Sequence, residues 1–185
     1  MNKAELIEQL EELNVGLKRF TVDLVRQSDS WTKAFELINS VIAAHLNGAT
    51  VHHIGSTAIP GALAKPIIDI GIAYDSDSTF EQEKHALKAL GFTSKGEHGV
   101  KGRLFFTFYN HDESFDYIHI HAYKRGDKNL SKHIGFRDAH IHDAELVVEY
   151  NTLKHDLVEG GVCRQDYPRA KTAYIEKVLS LTLTN

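Results

Sequence analysis

The feature that most constrains this chain is a single aspartate inside an apolar strand. In "KPIIDIGIAY", residues 65–74, Asp69 sits among Ile67, Ile68, Ile70 and Ile72. A short, isoleucine-rich apolar run reads as a buried strand. An ionised carboxylate there is costly unless it is paired inside the fold or faces a cleft where its charge is used. Alternation puts Ile67, Asp69, Gly71 and Ala73 on one face, with Ile68, Ile70, Ile72 and Tyr74 on the other. Asp69 therefore shares its face with small neighbours, which leaves room beside it.

The residues just before it sharpen the choice. "TVHHIGS", residues 50–56, reads as a short strand running into a loop that Pro60 and Gly61 close. The Gly55-Ser56 turn brings backbone N–H groups and a hydroxyl close to the strand end, a concavity suited to a phosphate. Lys65 adds one positive charge. A glycine-serine loop and an aspartate able to hold a divalent cation are parts of a nucleoside triphosphate site, because magnesium prefers carboxylate and phosphate oxygens. The same residues also read as a hairpin-like connection with a structural serine and a hydrogen-bonded core aspartate.

The bulk numbers set the frame. A chain of 185 residues reads as one domain, 1–185, able to bury about 70% of its unfolded surface. Its net charge of -4 gives no general attraction for nucleic acid or acidic lipid. The lone Cys163 excludes an internal disulfide framework. No apolar run approaches the ~20 residues of a membrane span, and "MNKAELIEQLEEL" lacks the apolar core of a signal peptide. These features together point to the cytoplasm.

Leu6, Ile7, Leu10 and Leu13 follow helical spacing. "FTVDLVR" reads as a strand, and Ser28 or Ser30 as the cap of a helix whose buried stripe is Trp31, Phe35, Ile38, Val41 and Ile42. A helix near residues 79–90 stops at Gly91. "RLFFTFYN" and "FDYIHIHAY" read as strands. Asp143 opens a helix that stops near Gly160 and Gly161, and Asp166 with Pro168 opens the last one. Strands early and helices late predict an α+β, or mixed α/β, domain with a small sheet covered by helices.

Five stretches in order, "HIGSTAIPGALAKPIIDI", "GEHGVKGRLFFTF", "IHIHAY", "HIGFRD" and "YPRAKTAYIEKVL", resemble the GrpB family, whose members carry a nucleotidyltransferase-like fold. The resemblance implies a small mixed sheet with flanking helices. It maps the superfamily's glycine-serine signature onto Gly55 and Ser56, and its first metal carboxylate onto Asp69. Active nucleotidyltransferases place a second acid two residues later, where this chain has Gly71. A third acid comes from a neighbouring strand, and the local candidate is Asp116. Alternation through "FDYIHIHAY", however, sets Phe115, Tyr117, His119, His121 and Tyr123 on one face and Asp116 on the opposite one.

His119 and His121 can replace the missing acids. If their strand lies beside that of Asp69, the set suits a transition metal better than magnesium; alternatively the histidines only pack among aromatics. Arg103 and Arg137 suit a phosphate, because a guanidinium binds it bidentately, and each also fits a structural ion pair. Lys154 and Lys171 fit exposed helix faces.

Three functions compete. In the first, Gly55, Ser56 and Lys65 hold phosphates while Asp69 holds magnesium or manganese in a transferase. The second is a non-catalytic module binding a nucleotide or phosphorylated metabolite. The third is a metal hydrolase, with zinc the less expected ion, built on Asp69, His119 and His121.

Overall fold

Local signals set the helix starts. The computed structural model describes residues 1–182, so the last three positions of the expected 1–185 domain lie outside it. Helix α1 (Lys3–Glu12) is closed by a reciprocal cap, in which the Asn2 side chain accepts from the Glu5 amide and the Glu5 carboxylate accepts from the Asn2 amide. Strands β1 (Leu17–Lys18) and β2 (Val25–Arg26) follow. "FTVDLVR" is therefore not a continuous strand: only its last two residues pair, and Phe20 takes a left-handed backbone with φ 71. Ser28 caps helix α2 (Asp29–Ala43), which buries Trp31, Ala34, Ile38 and Ile42 at helical spacing.

Then come β3 (Thr50–Ile54), β4 (Leu63–Ala64), β5 (Ile68–Tyr74), helix α3 (Asp77–Ala89), β6 (Thr93–Ser94), β7 (Leu104–Tyr109) and β8 (Phe115–Lys124). The last part is helical: α4 (Lys128–His142), α5 (Ala144–Glu159), the short α6 (Tyr167–Ala170) and α7 (Thr172–Thr182). Asp143 caps α5 through the Glu145 and Leu146 amides, as expected from its position. Asp166 and Pro168 open α6, which ends before α7 begins.

Among the described residues six strands make one mixed sheet in the order β3-β5-β8-β7-β6, with β1 pairing with β8; β2 and β4 form a separate two-stranded ribbon. β5 and β8 run parallel, while β3-β5 and β7-β8 are antiparallel. The chain is thus the mixed α+β fold that the early strands and late helices predict. Among the described residues no helix is long and apolar enough to cross a membrane.

The sheet has two unlike faces. Ile68, Ile70, Ile72 and Tyr74 of β5 pack with Leu6 and Leu10 of α1, Trp31, Ile38 and Ile42 of α2, and Phe80 and Leu87 of α3. Each such buried side chain contributes about 2 kcal/mol. On the opposite face lie Asp69, Gly71 and Ala73, beneath the later helices, as alternation along the strand predicts.

Alternation fails in β8, and there the site is made. Phe108 pairs with Ile118, but Tyr109 pairs with Asp116, so β8 carries one residue more than its partner. That bulge reverses the side-chain sense upstream of it. Tyr117 goes to the core face with Ile118 and Ile120, where its hydroxyl donates to Glu11 Oε1 at 2.6 Å. Asp116 consequently joins His119 and His121. The sequence expectation that Asp116 faces away, with Tyr117 beside the histidines, is inverted.

Candidate functional site

The parallel register of β5 and β8 sets Asp69 beside His119 and Gly71 beside His121. Asp69 Oδ1 lies 3.4 Å from His119 Nδ1 and 3.5 Å from His121 Nε2. The other nitrogen of His119, Nε2, lies 3.0 Å from Asp116 Oδ2. Arg164 Nη2 donates to that same oxygen at 3.1 Å, and its Nη1 donates to the Thr21 carbonyl at 3.0 Å. A chain of alternating charge therefore runs Asp69, His119, Asp116, Arg164.

The protonation states follow from these contacts. Burial works against a charge on His119, but hydrogen bonds to Asp116 and then to Asp69 outweigh it and raise its pKa to about 9. Burial likewise raises Asp69, yet hydrogen bonds from His119 and His121 hold its carboxyl well below the usual range. His121 is the opposite case, pulled down chiefly by burial. Its Nδ1 lies 3.3 Å from Arg103 Nη1, and a guanidinium only donates. Neutral His121 therefore carries its proton on Nε2, facing Asp69.

Gly55 makes room for this arrangement. It sits at φ 72, and a Cβ there would lie 2.5 Å from Asp69 Oδ2 and 2.9 Å from Asp69 Cβ. Only glycine lets the loop after β3 rest against the aspartate. Gly55→Ala should lower stability by about 2 kcal/mol through strain and displacement of Asp69. Chemical denaturation checks this, and a loss below about 0.5 kcal/mol would show that the contact yields freely.

Around these groups opens a cleft of about 830 Å³ between the sheet and the later helices. Gly55, Ser56, Lys65, Asp69, Arg103, His119 and His121 all line it. Arg137 is not among its lining residues: its guanidinium is held by the His53 carbonyl at 2.7 Å and by Asp138, the structural ion pair that is the alternative to a phosphate role. Lys154 and Lys171 both depart from the exposed helix positions expected of them. Lys154 is 1% exposed and donates to the Leu63 carbonyl; burial, then Lys171, pulls its pKa down to about 6. Lys171 lines the cleft, 3.4 Å from the Tyr150 hydroxyl, which also accepts from Ser56 Oγ at 3.3 Å.

Charge in the cleft is lopsided. Among the described residues seven lysines and arginines line it against two aspartates, in a chain whose net charge is -4. The crowding is felt at Lys65, whose pKa falls to about 8 through burial and then the fields of Arg164 and Lys171. Among the described residues three cleft-lining atoms are also buried without a hydrogen-bond partner, namely Thr107 Oγ1, Asp116 Oδ1 and the Tyr167 hydroxyl. A polar atom left buried and unpaired costs roughly 1–3 kcal/mol. Such atoms are commonly satisfied by a ligand or by ordered water.

The same geometry tests the metal expectation. At Gly71, where a second acid would stand, an added Cβ would meet Leu130 Cδ1 at 2.6 Å and Ile54 at 3.4 Å. Both ring nitrogens of His119 are directed at carboxylates, Nδ1 at Asp69 and Nε2 at Asp116, so a cation would have to displace one of these contacts to reach it. Among the described residues no three His, Cys, Asp or Glu side chains are grouped to hold a metal ion. A two-cation clamp needs several anionic donors, and these residues do not fit one.

Arg164, Lys171, Tyr150 and Tyr167 escape sequence reasoning because they come from late helices and their connections. Tyr167 and Lys171 leave a sequence trace in the tail "YPRAKTAYIEKVL", where they stand four residues apart, while Arg164 and Tyr150 lie outside it.

Sheet order, glycine-serine loop and acid-histidine cluster together define a small α+β protein with a cleft lined by more basic than acidic side chains. The chain belongs to the GrpB family, whose model, described as GrpB protein, matches residues 21–181. It is 33% identical over 163 residues to UPF0157 protein YqkA of Bacillus subtilis, covering 84% of this chain but 46% of that protein. The crystal structure of conserved protein GrpB from Enterococcus faecalis shares the fold with a TM-score of 0.74 and 23% identity, over 88% of this chain and 98% of that one. A fainter likeness, TM-score 0.47 at 16% identity, covers 78% of this chain and 44% of the Cid1 poly(U) polymerase.

Proposed function

We propose that the cleft binds a phosphorylated small molecule of the nucleotide class, and that the protein's own cations hold it without a divalent metal. The observation that carries this reading is the gathering of Lys65 and Lys171 at 5.4 and 4.5 Å from one ring centre, that of Tyr167, with Arg164 lining the same cleft. Packing cations against one another is unfavourable on its own, and a bound polyanion reverses the sign of that term. Arg103 supplies a further guanidinium, fixed by the Glu97 and His98 carbonyls at 3.2 and 2.6 Å. Ser56 and Lys171, joined through the Tyr150 hydroxyl, bring the glycine-serine loop to the same anion.

Calorimetry with each nucleoside triphosphate, and with inorganic tripolyphosphate, tests the reading in the presence of EDTA. Saturable binding is expected, surviving the chelator and weakening as salt screens the cations. Lys65→Ala and Lys171→Ala should each weaken it by roughly tenfold, the loss of about 1.4 kcal/mol. No binding to any of these anions, with or without Mg²⁺ or Mn²⁺, would sink the proposal. Release of pyrophosphate that depends on Asp69 would replace the binding module with a transferase.

A further inference from the structure

One residue at the mouth of this cleft breaks two rules at once. Phe20 is 75% exposed, and its backbone sits at φ 71, a conformation that bulky side chains avoid. It lines the cleft beside Arg19, Lys95 and Tyr109. An exposed ring gains little from burial, and a left-handed backbone adds strain. Among the described residues the ring's cation contact is the Arg19 guanidinium, and most of its face stays open to the cleft mouth.

The conformation is nonetheless tied down on both sides. The Arg19 amide donates to the Ser114 carbonyl at 2.8 Å, and the Thr21 carbonyl accepts from Arg164 Nη1 at 3.0 Å. The Arg19 guanidinium lies 5.0 Å from the Phe20 ring centre and 4.4 Å from that of Tyr109. Glu113 fixes the same guanidinium through its carbonyl at 2.9 Å and its carboxylate at 3.3 Å. Strain persists where its surroundings over-determine it, and such places cluster at ligand sites. Arg164 is the direct link here, since one guanidinium holds both the Phe20 loop and Asp116.

We infer that Phe20 is a stacking platform for a flat ring of the ligand, so that the bound molecule carries a heteroaromatic group as well as its phosphates. This rests on the reading of the cleft as an anion site and adds to it a residue that selects among anions. Phosphates among Lys65, Arg164 and Lys171 would leave the far end of a nucleotide-sized molecule to reach the rim. There the Phe20 face, flanked by Arg19, offers the surface on which a base packs irrespective of its identity.

The test compares nucleoside triphosphates with inorganic tripolyphosphate and ribose 5-phosphate on the full chain. Phe20→Ala should weaken nucleotide binding by roughly 5- to 100-fold and leave tripolyphosphate unchanged, while Phe20→Tyr should restore nucleotide affinity. Phe20→Trp adds a direct signal. The one native tryptophan, Trp31, is buried, so rim fluorescence should be quenched saturably by nucleotides and not by tripolyphosphate. Nucleotide affinity unchanged in Phe20→Ala, or an equal loss for tripolyphosphate, would overturn the platform and leave the anion site standing. Failure of every anion to bind the wild-type chain would remove both.

Discussion

Asp116→Asn should destabilise the protein by about 3 kcal/mol while preserving the shape of the side chain. Asp116 is 5% exposed and shared between two cations, His119 and Arg164, at 3.0 and 3.1 Å. The amide keeps the volume and loses the charge, so both cations are stranded in a poorly hydrated wall. Breaking a buried pair from one side is far more damaging than replacing both partners, because the survivor keeps its desolvation cost. A cycle with Arg164→Met separates the two effects, and the double variant should recover part of the single-site loss. The His119 resonance should also titrate at lower pH in Asp116→Asn, since one of its two carboxylates is gone. A loss under about 1 kcal/mol would mean that this pair behaves like a solvated surface contact.

The second large effect is a fall in stability on the alkaline side of neutrality. His119 keeps its proton up to about 9 when folded, against 6.5 as its ordinary value. Below pH 6.5 both states are protonated and its contribution is complete; as pH rises through 9 the contribution is lost. The window is worth about 3 kcal/mol. Lys65 acts with the opposite sign at higher pH: its folded value of about 8 lies below its ordinary 10.5, so the unfolded chain binds the extra proton and stability rises across that range. The difference between wild type and His119→Gln isolates the histidine. Their gap in unfolding free energy should narrow between pH 6.5 and 9. A flat gap, or a histidine that titrates near its ordinary value by NMR, would show that the two carboxylates do not hold its charge.

Much of the frame was readable from the chain alone. Asp69 in its isoleucine strand, the glycine-serine loop and the two histidines are local patterns, and alternation along β5 sets their faces correctly. Caps at Ser28 and Asp143 likewise need only their neighbours. What alternation could not supply was the bulge in β8, because an extra residue leaves no mark in composition. It exists to match Tyr109 and Phe108 across the ladder while Tyr117 reaches Glu11 from α1. Phe20 was misread for a related reason: "FTVDLVR" has strand composition, but Thr21 is claimed by Arg164, 143 residues away. The cations of the late helices are placed by packing of α4, α5 and α7, which no short-range signal reports.

That extra residue at Tyr117 makes β8 tolerant of losing one residue and intolerant of being straightened. Deleting Tyr117 would set Asp116 directly before Ile118 in ordinary alternation and still opposite Tyr109, so the carboxylate would keep its side and only the aromatic with its bond to Glu11 would go. Ironing the kink flat with every residue retained would instead turn Asp116 toward the greasy half of the molecule and Tyr117 toward the ionic half, so a single peptide unit keeps the phase between them.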